Sequence, residues 1–380
     1  MGGDLQHPTR AAIHLDRLGH NLRLLRELAG GRPVWAVVKA NAYGHGAVPI
    51  ARELVALGCD VLCVAHPSEA LELRESEVRA RFLLMTAALP EASEAIAAHG
   101  FEPAICTRET AEALSRAAER ASRRVDVHVK VDTGMGRVGI RPDEVPAFLA
   151  LCRGLPGLRV RGLMSHFPRA DEADQRFSRE QTAGFAKLRD ATRGAGDLVY
   201  HMANSAAVFD LPDSHLDAVR TGVALFGLAP SADTANPRVR ELQPVLEWTT
   251  RITFLKEVAA GTGLSYGHAF VAPRASLIAT LPVGYGDGLR RNLSNRMDVL
   301  VGGVRCPQVG RITMDQTLVD VTAVRGRVAL GDPAVLLGRQ GDQTIGADEW
   351  ARRLGTISYE VATAVATRVP RVPVRGGIEV

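Results

Sequence analysis

Lys39 is the first residue in the sequence whose type and position could do chemistry. It follows the apolar run 33–38, which has the composition of a buried strand, and it precedes the small-residue segment 40–46. An amine desolvated beside such a strand can form a Schiff base with a carbonyl compound. Position alone nevertheless favours a surface lysine at the end of a strand, so this pattern by itself assigns no role.

The five cysteines do not predict a metal site or a disulfide framework. They are odd in number, scattered, and lack both a CxxC pair and a nearby histidine cluster: Cys59, Cys63, Cys106, Cys152 and Cys306. Buried, reduced thiols explain them better. We therefore expect no metal.

The segment 134–139 has the letters of a GxGxxG dinucleotide fingerprint. That fingerprint requires the first strand of a βαβ unit before it and a helix that begins within it. Here it follows the fifth predicted strand in mid-chain, and Arg137 and Val138 do not suggest a helix start. The match is too weak to predict a dinucleotide site.

Strand-like and helical patterns alternate from about residue 10 to 240, as in an α/β protein with a parallel sheet. About eight such units in this length predict an N-terminal (β/α)8 TIM-type barrel, for which ~250 residues are typical. An open doubly wound sheet is the rival. In a barrel, Lys39 would lie at the carboxyl end of a strand, where active sites of barrels are found. Predicted strands cover 33–38, 61–64, 81–86, 103–106, 125–131, 160–164, 198–201 and 218–220.

The pattern changes near residue 240, after a Pro- and Asn-containing stretch at 229–242. Strand-like runs follow at 246–258, 275–280, 298–304 and 318–321, with a turn at Gly302-Gly303 and one helix at 347–354. We predict a barrel domain over 8–240 and a mainly β C-terminal domain over 241–380.

The composition excludes several classes of protein. The net charge is only +4, and no Lys/Arg-rich run with interleaved aromatics occurs, so no nucleic-acid partner is expected. No stretch of 18 apolar residues occurs, so no membrane span is expected. The start of the chain, 1–10, is polar and lacks the apolar stretch of a signal peptide. These features favour a cytoplasmic protein.

The segment Val37–Gly46 closely resembles the lysine signature of alanine racemases, which use pyridoxal 5′-phosphate (PLP). Further matches follow in the same order along nearly the whole chain, at 129–139, 164–167, 201–205, 219–222, 265–267, 284–288, 310–316 and 356–360. This resemblance implies that Lys39 carries PLP and that the activity is interconversion of L- and D-alanine, supplying D-alanine for peptidoglycan.

The resemblance also implies roles for individual residues. Racemisation requires removal of a proton on one face of Cα and delivery on the other, and the implied pair of catalytic groups is Lys39 and Tyr266. Arg220 would face the pyridine nitrogen of the cofactor. The implied cofactor-binding set is Lys39, Tyr43, His166, Asn204, Ser205, Arg220, Gly222, Val223 and Tyr359.

Substrate binding is implied for a second set of residues. Arg137 would clamp the substrate carboxylate, because a planar guanidinium matches a planar carboxylate. Lys130 corresponds to a lysine that many members carry as a carbamate, although a plain lysine remains an alternative. Met314 and Tyr285, with Tyr266, would come from the other subunit, which implies a homodimer with shared active sites.

Some positions depart from the usual pattern of the family. Phe226, Thr313 and the pair Val372-Pro373 replace residues that are commoner there, so a racemase of another small amino acid stays open. A barrel-type PLP decarboxylase would carry a cysteine followed by an acidic residue, whereas Pro307 follows Cys306. A non-catalytic PLP-binding protein would not need the second domain.

Overall fold

The computed structural model describes residues 7–380, which form two compact units. The barrel unit contains Gly19–Ala42 and Ala47–Leu242. The β unit contains Tyr43–Gly46, Gln243–Val380 and the described residues through Leu18. The β unit also contains the first strand of the chain, β1 (Arg10–His14). Residues 1–6 of the polar N-terminal segment lie outside the described residues.

Parallel strands form the wall of the barrel unit, and helices separate them along the chain. The strands are β2 (Val34–Val37), β3 (Val61–Val64), β4 (Arg81–Leu84), β5 (Glu102–Ile105), β6 (Val125–Lys130), β7 (Leu158–Met164), β8 (Val199–His201) and β9 (Val219–Thr221). The helices of this unit cover Ala47–Ala56, Pro67–Glu75, Ser93–His99, Arg108–Arg120, Val145–Arg153, Arg176–Thr192 and Ser205–Asp210, and Leu15–Leu28 precedes β2.

Sequence order and spatial order agree around the barrel. The eight strands described above pair in the order β8-β7-β6-β5-β4-β3-β2-β9, all parallel. Between β8 and β9, the amides of Asp217 and Arg220 donate to the carbonyls of Tyr200 (3.0 Å) and Ala203 (2.9 Å). These two bonds nearly close the ring. The predicted (β/α)8 barrel is confirmed.

Helix Arg108–Arg120 illustrates how the outer layer forms. Thr107 caps its first turn, since the side-chain oxygen accepts a hydrogen bond from the amide of Thr110 at 3.3 Å. Ala111, Leu114 and Ala118 recur at helical spacing and are fully buried. Burying a leucine side chain contributes roughly 1.5–3 kcal/mol to folding. The helix is therefore held to the barrel by one apolar stripe.

The second unit is mainly β, as predicted. Its remaining strands are β10 (Leu246–Arg251), β11 (Phe254–Val258), β12 (Gly263–Leu264), β13 (Phe270–Val271), β14 (Ser276–Leu281), β15 (Asp298–Val301), β16 (Val304–Val309), β17 (Thr317–Asp320), β18 (Pro333–Gln340), β19 (Gln343–Ile345), β20 (Arg371–Arg375) and β21 (Ile378–Glu379). Its helices are Ala347–Leu354 and Ser358–Thr363. The predicted turn at Gly302-Gly303 joins β15 to β16, and both glycines have positive φ (58° and 77°).

Strand β1 changes the N-terminal limit that the sequence predicted for the barrel. Residues 8–240 were assigned to the barrel domain, but β1 pairs antiparallel with β10 and parallel with β20 in the sheet of the β unit. Ala11 and Ile13 alternate toward the core and are fully buried. Only pairing with strands more than 200 residues away places β1 here, and a local pattern does not contain that information. At the other end, the change of unit between Leu242 and Gln243 lies close to the predicted limit.

Within the described part of the chain, no helix is both long enough and apolar enough to cross a membrane.

Candidate active site

Lys39 stands immediately beyond β2, at the carboxyl end of the barrel strands. The chain after it turns through the left-handed region, with φ near 52° to 54° at four successive residues, Ala40 to Tyr43. Residues other than glycine adopt this conformation at a cost of roughly 1–2 kcal/mol each. Hydrogen bonds offset that cost, since the Glu69 carboxylate accepts from the amide of Ala40 (2.6 Å) and Asn41 Oδ1 accepts from the amide of Ala47 (2.7 Å). The backbone at Lys39 is thus fixed.

The amine of Lys39 is half-buried and makes no hydrogen bond or ion pair with any described residue. Burial and the guanidinium of Arg137 lower the pKa of Lys39, although the Glu69 carboxylate acts in the opposite direction. A lowered pKa increases the fraction of neutral amine, the form that attacks carbonyl carbon.

Lys130 ends β6, and its side chain is buried. Burial and the guanidinium groups of Arg220 and Arg137 lower the pKa of Lys130 to about 7. Two of the four lysines in the sequence therefore lie at the carboxyl ends of barrel strands with lowered pKa values.

The loop after β6 presents Arg137. The Asp132 carboxylate accepts from the amides of Gly134 (2.9 Å) and Gly136 (3.1 Å), and a Cβ at Gly139 would approach the Asp132 amide to 2.5 Å. The segment 134–139 is thus a folded loop that no helix follows directly, unlike a dinucleotide fingerprint. The Arg137 side chain is exposed within this chain.

Arg220 lies on β9 with its guanidinium buried. Its terminal nitrogens donate to His201 Nδ1 (2.6 Å), to the Ser165 carbonyl (2.6 Å) and to the Met202 carbonyl (3.4 Å). Burial lowers the pKa of Arg220 to about 10, so it remains a cation at neutral pH. Its Nε makes no hydrogen bond to the residues that the structure describes.

His166 follows β7 and is close enough to Arg220 to respond to its charge. Burial, followed by the charges of Arg220 and Lys130, holds the pKa of His166 well below its ordinary value. Arg220 donates its hydrogen bonds in the described structure to other groups, so His166 and Arg220 interact through charge rather than a direct hydrogen bond.

Two short helical turns meet at Ser205 and Gly222. Asn204 caps the first turn, its side chain accepting from the amide of Ala207 at 3.0 Å. Ser205 Oγ accepts from the amides of Gly222 (3.0 Å) and Ala224 (3.4 Å) in the second turn, which begins at Val223. A hydroxyl and the amino ends of two turns are thus brought together, a combination that suits phosphate.

Tyr43 and Tyr359 both belong to the β unit. A Cβ at Gly44 would approach the carbonyl of Ala362, in the helix that carries Tyr359, to 2.3 Å. Arg371 Nε donates to the Gly44 carbonyl at 2.9 Å. The turn that carries Tyr43 is therefore packed directly against the helix of Tyr359.

Tyr266, Tyr285 and Met314 are exposed large side chains on three connected loops of the β unit. Ser265 Oγ donates to the Arg311 carbonyl (2.7 Å), and the amides of Tyr285 and Gly286 donate to the carbonyls of Thr313 (3.0 Å) and Met314 (2.9 Å). Exposed apolar clusters of this kind mark interaction surfaces.

Sequence reasoning missed a line of polar side chains in the barrel, formed by the half-buried Arg81 and the buried Glu102, His128 and His201. A signal was present in the strand β6, because its alternate residues Asp126, His128 and Lys130 are all polar on one face of a buried strand.

Metal binding finds no support in the described residues, among which no group of three or more His, Cys, Asp or Glu side chains could hold an ion. Cys306 is buried in β16, and burial raises the pKa of its thiol to about 11.

Comparison with known proteins decides the family. Residues 13–230 match the model of the alanine racemase N-terminal domain, and 245–373 match that of the C-terminal domain. The chain belongs to the alanine racemase family. Alanine racemases of Halothermothrix orenii and Sorangium cellulosum are 42% and 43% identical to it, over 98% and 96% of this chain and 98% of each relative. The resemblance that the motifs indicated is confirmed.

Solved structures of alanine racemases have the same fold as this chain. The structure from Clostridium difficile 630 superposes with a TM-score of 0.93 at 34% identity, covering 99% of this chain and 98% of that one. The alanine racemase from D-cycloserine-producing Streptomyces lavendulae gives 0.91 at 35% identity, covering 99% of both.

The alanine racemase family depends on PLP, and the residues of this chain fit that cofactor. Among residues 7–380, Lys39 offers an amine without a hydrogen-bond partner, Arg220 an Nε without an acceptor, and Ser205 a hydroxyl where two turns begin. These groups match the aldehyde, the ring nitrogen and the phosphate of PLP.

Borohydride reduction of the PLP-loaded protein at pH 7 should attach a phosphopyridoxyl group to Lys39, because burial favours its neutral amine. Peptide mass spectrometry would locate the group, and Lys187 and Lys256 provide internal controls. Labelling spread evenly over the four lysines would contradict the assignment.

Proposed function

We propose that this chain interconverts L-alanine and D-alanine with PLP, using Lys39 and Tyr266 to move the proton at Cα. The carboxyl end of the barrel carries this proposal, since it combines a half-buried amine that has no hydrogen-bond partner among the described residues with the cations Arg137 and Arg220. The substrate carboxylate and the cofactor phosphate are both negatively charged, and this cationic field favours both groups.

The chemistry requires a proton acceptor on one face of Cα and a donor on the other. When bound, PLP withdraws electrons from the Cα of the attached amino acid and stabilises the negative charge left by the departing proton. Lys39 is suited to accept or return a proton at Nζ, because burial and Arg137 lower its pKa toward neutrality. Tyr266 Oη would serve the opposite face.

Arg220 restricts the reaction to this exchange. A guanidinium offers only donors and does not lose its proton near neutral pH. Arg220 would therefore leave a bound cofactor's ring nitrogen as an acceptor, which would keep negative charge closer to Cα, where the proton must return.

Arg137 would bind the substrate carboxylate, and Lys130 would orient it. An amine with a pKa of about 7 is largely neutral at slightly alkaline pH and can combine with CO2. The resulting carbamate would carry a negative charge beside two guanidinium groups, where it is stabilised. Carbamylation would thus place a negative group at Lys130, beside the positive guanidinium groups of Arg137 and Arg220.

The remaining residues of the proposed site would hold the cofactor and shape the pocket. Ser205, Gly222, Val223 and Asn204 would bind phosphate with Tyr43 and Tyr359, and His166 would lie beside Arg220. The exposed Tyr266, Tyr285 and Met314 would enter the site of a second copy of the chain, which makes the homodimer the active form.

The decarboxylase alternative is disfavoured because Cys306 is buried in a sheet and offers no accessible thiol. A cytoplasmic location and supply of D-alanine to peptidoglycan remain predictions.

Tyr266→Phe should retain the visible absorbance of bound PLP but lose about 10²- to 10⁴-fold in racemisation, the usual value of a general acid or base. One enantiomer of alanine should still exchange its Cα hydrogen in D2O through Lys39, without inversion. Nuclear magnetic resonance with chiral chromatography measures both. Tyr200→Phe is the matched control, since Tyr200 bonds to Thr192 in the outer helix layer. Full racemase activity in Tyr266→Phe would remove Tyr266 from the mechanism.

A lysine carbamate should be detectable by ¹³C nuclear magnetic resonance after equilibration with ¹³C-bicarbonate. Its signal should weaken as the pH falls below about 7, since protonated Lys130 cannot react with CO2. Lys130→Ala should abolish the signal and Lys187→Ala should leave it. A signal that persists in Lys130→Ala would place the carbamate elsewhere.

Mixing inactive Lys39→Ala and Tyr266→Phe chains should restore activity if sites are shared between subunits. Half of the randomly exchanged dimers would be mixed, each with one fully native site, so about a quarter of wild-type activity should return. Chiral assays after subunit exchange test this, with exchange verified by native mass spectrometry. Exchange without recovered activity would contradict shared sites.

A further inference from the structure

A continuous line of polar side chains, buried from Glu102 onward, runs through the lumen of the barrel and ends on Arg220. Arg81 and Glu102, at the amino ends of β4 and β5, form a two-bond ion pair (2.6 and 2.8 Å). The line continues with Glu102 Oε2 to His128 Nε2 (3.3 Å), His128 Nδ1 to His201 Nε2 (3.0 Å) and His201 Nδ1 to Arg220 (2.6 Å). Barrel interiors are normally filled with branched aliphatic side chains, so this line needs an explanation.

The two ends of the line determine where its protons lie. A carboxylate only accepts and a guanidinium only donates, while a neutral imidazole has one donor and one acceptor. His128 must therefore donate from Nε2 to Glu102 and accept at Nδ1 from His201. His201 in turn accepts at Nδ1 from Arg220. Every hydrogen bond between Arg220 and Glu102 therefore points the same way, toward Glu102, where the bonds from Arg81 also end.

The environment keeps both imidazoles neutral. Burial lowers the pKa of His128 despite its bond to Glu102, and burial with the Arg220 charge holds that of His201 well below its ordinary value. Trp35 packs its ring edge-to-face against both imidazoles, at centroid distances of 5.9 and 4.6 Å. The rings are thus fixed in place.

Glu102 is the acceptor that gives the line its direction. Burial alone would raise its pKa, but bonds from His128 and Arg81 lower the pKa of Glu102 to about 2. Because Arg81 donates to both carboxylate oxygens, an amide at this position would turn its NH2 group toward either Arg81 or His128. One donor would then face another donor.

The groups around Arg220 cannot replace this acceptor. Lys130 and His166 face it as an amine and an imidazole, and the pKa of the Cys63 thiol is raised to about 12 by burial, so it stays neutral. Glu102 is the anion at which the line ends.

We propose that Glu102 is a positioning residue that acts through His128 and His201 to hold the Arg220 guanidinium against the cofactor's ring nitrogen. This inference rests on the proposed function. With the line intact, the ring nitrogen stays unprotonated and the proton returns to Cα. With the line broken, Arg220 is displaced, the nitrogen gains a proton more readily, and charge moves into the ring.

The competing outcome is amino-group transfer. Alanine and PLP then become pyruvate and pyridoxamine phosphate with no other reactant consumed. The Cα–H electron pair reduces the cofactor as alanine is oxidised, and the proton returns to the cofactor's carbon instead of to Cα. Pyruvate formed per alanine racemised therefore reports the position of Arg220.

Glu102→Gln in the PLP-loaded protein should raise the ratio of pyruvate formed to alanine racemised by about tenfold, the effect of losing one charge-assisted hydrogen bond. The pH at which the visible absorbance of bound PLP titrates should also move upward. Asp126→Asn is the matched control, because Asp126 pairs with Arg159 at the same end of the barrel without joining the line. An unchanged ratio and titration in Glu102→Gln, or an equal change in Asp126→Asn, would overturn the proposal.

His128 provides a second pair of variants if Glu102→Gln does not fold. His128→Leu interrupts the line and should reproduce both changes, whereas His128→Gln offers one donor and one acceptor and should restore wild-type behaviour. Equal behaviour of the two variants would contradict the proposal. A wild-type protein that does not racemise alanine would refute the proposed function instead, since the absorbance titration needs no substrate.

Discussion

Keeping one guanidinium charged inside a barrel is the constraint on which the rest of the site depends. Burying an ion costs several kcal/mol even after relaxation, unless hydrogen bonds and charges compensate. Arg220 meets this cost with the carbonyl oxygens of Ser165, His201 and Met202 and with the ring nitrogen of His201, whose own ring donor is satisfied in turn. The polar lumen of the barrel is thus a consequence of placing a permanent cation at its centre.

The same cation sets the protonation of its neighbours. Arg220 and Arg137 both disfavour a proton on Lys130, and Arg137 acts likewise on Lys39. Arginine suits this role, because its own pKa falls only to about 10 on burial, whereas Lys130 falls to about 7. Burial and the neighbouring arginines therefore favour the neutral form of both lysines, and neutral amines are the reactive form. It also attracts the carboxylate and phosphate groups that the proposed reaction requires.

Local sequence patterns predicted the barrel well, because each βα unit carries its own periodicity and the units pair in chain order. They failed for β1, whose partners lie more than 200 residues away. Prediction of the site was limited in the same way, because its residues are also far apart in the sequence. Position alone favoured a surface role for Lys39, and only the family resemblance gave it a partner in Tyr266. The line from Arg81 to His201 was not predicted, because the alternation of residues in β6 shows that one face of the strand is polar but does not show which residues that face contacts.

The division of the chain assigns different tasks to its two units. The barrel unit contains cations and two lysines with lowered pKa values, and its buried carboxylate Glu102 is committed to Arg81 and His128. The proposed second proton-transfer group is Tyr266, which the β unit exposes on a loop held by a hydrogen bond from Ser265 to the Arg311 carbonyl. The two units thus contribute different chemical groups to the proposed reaction.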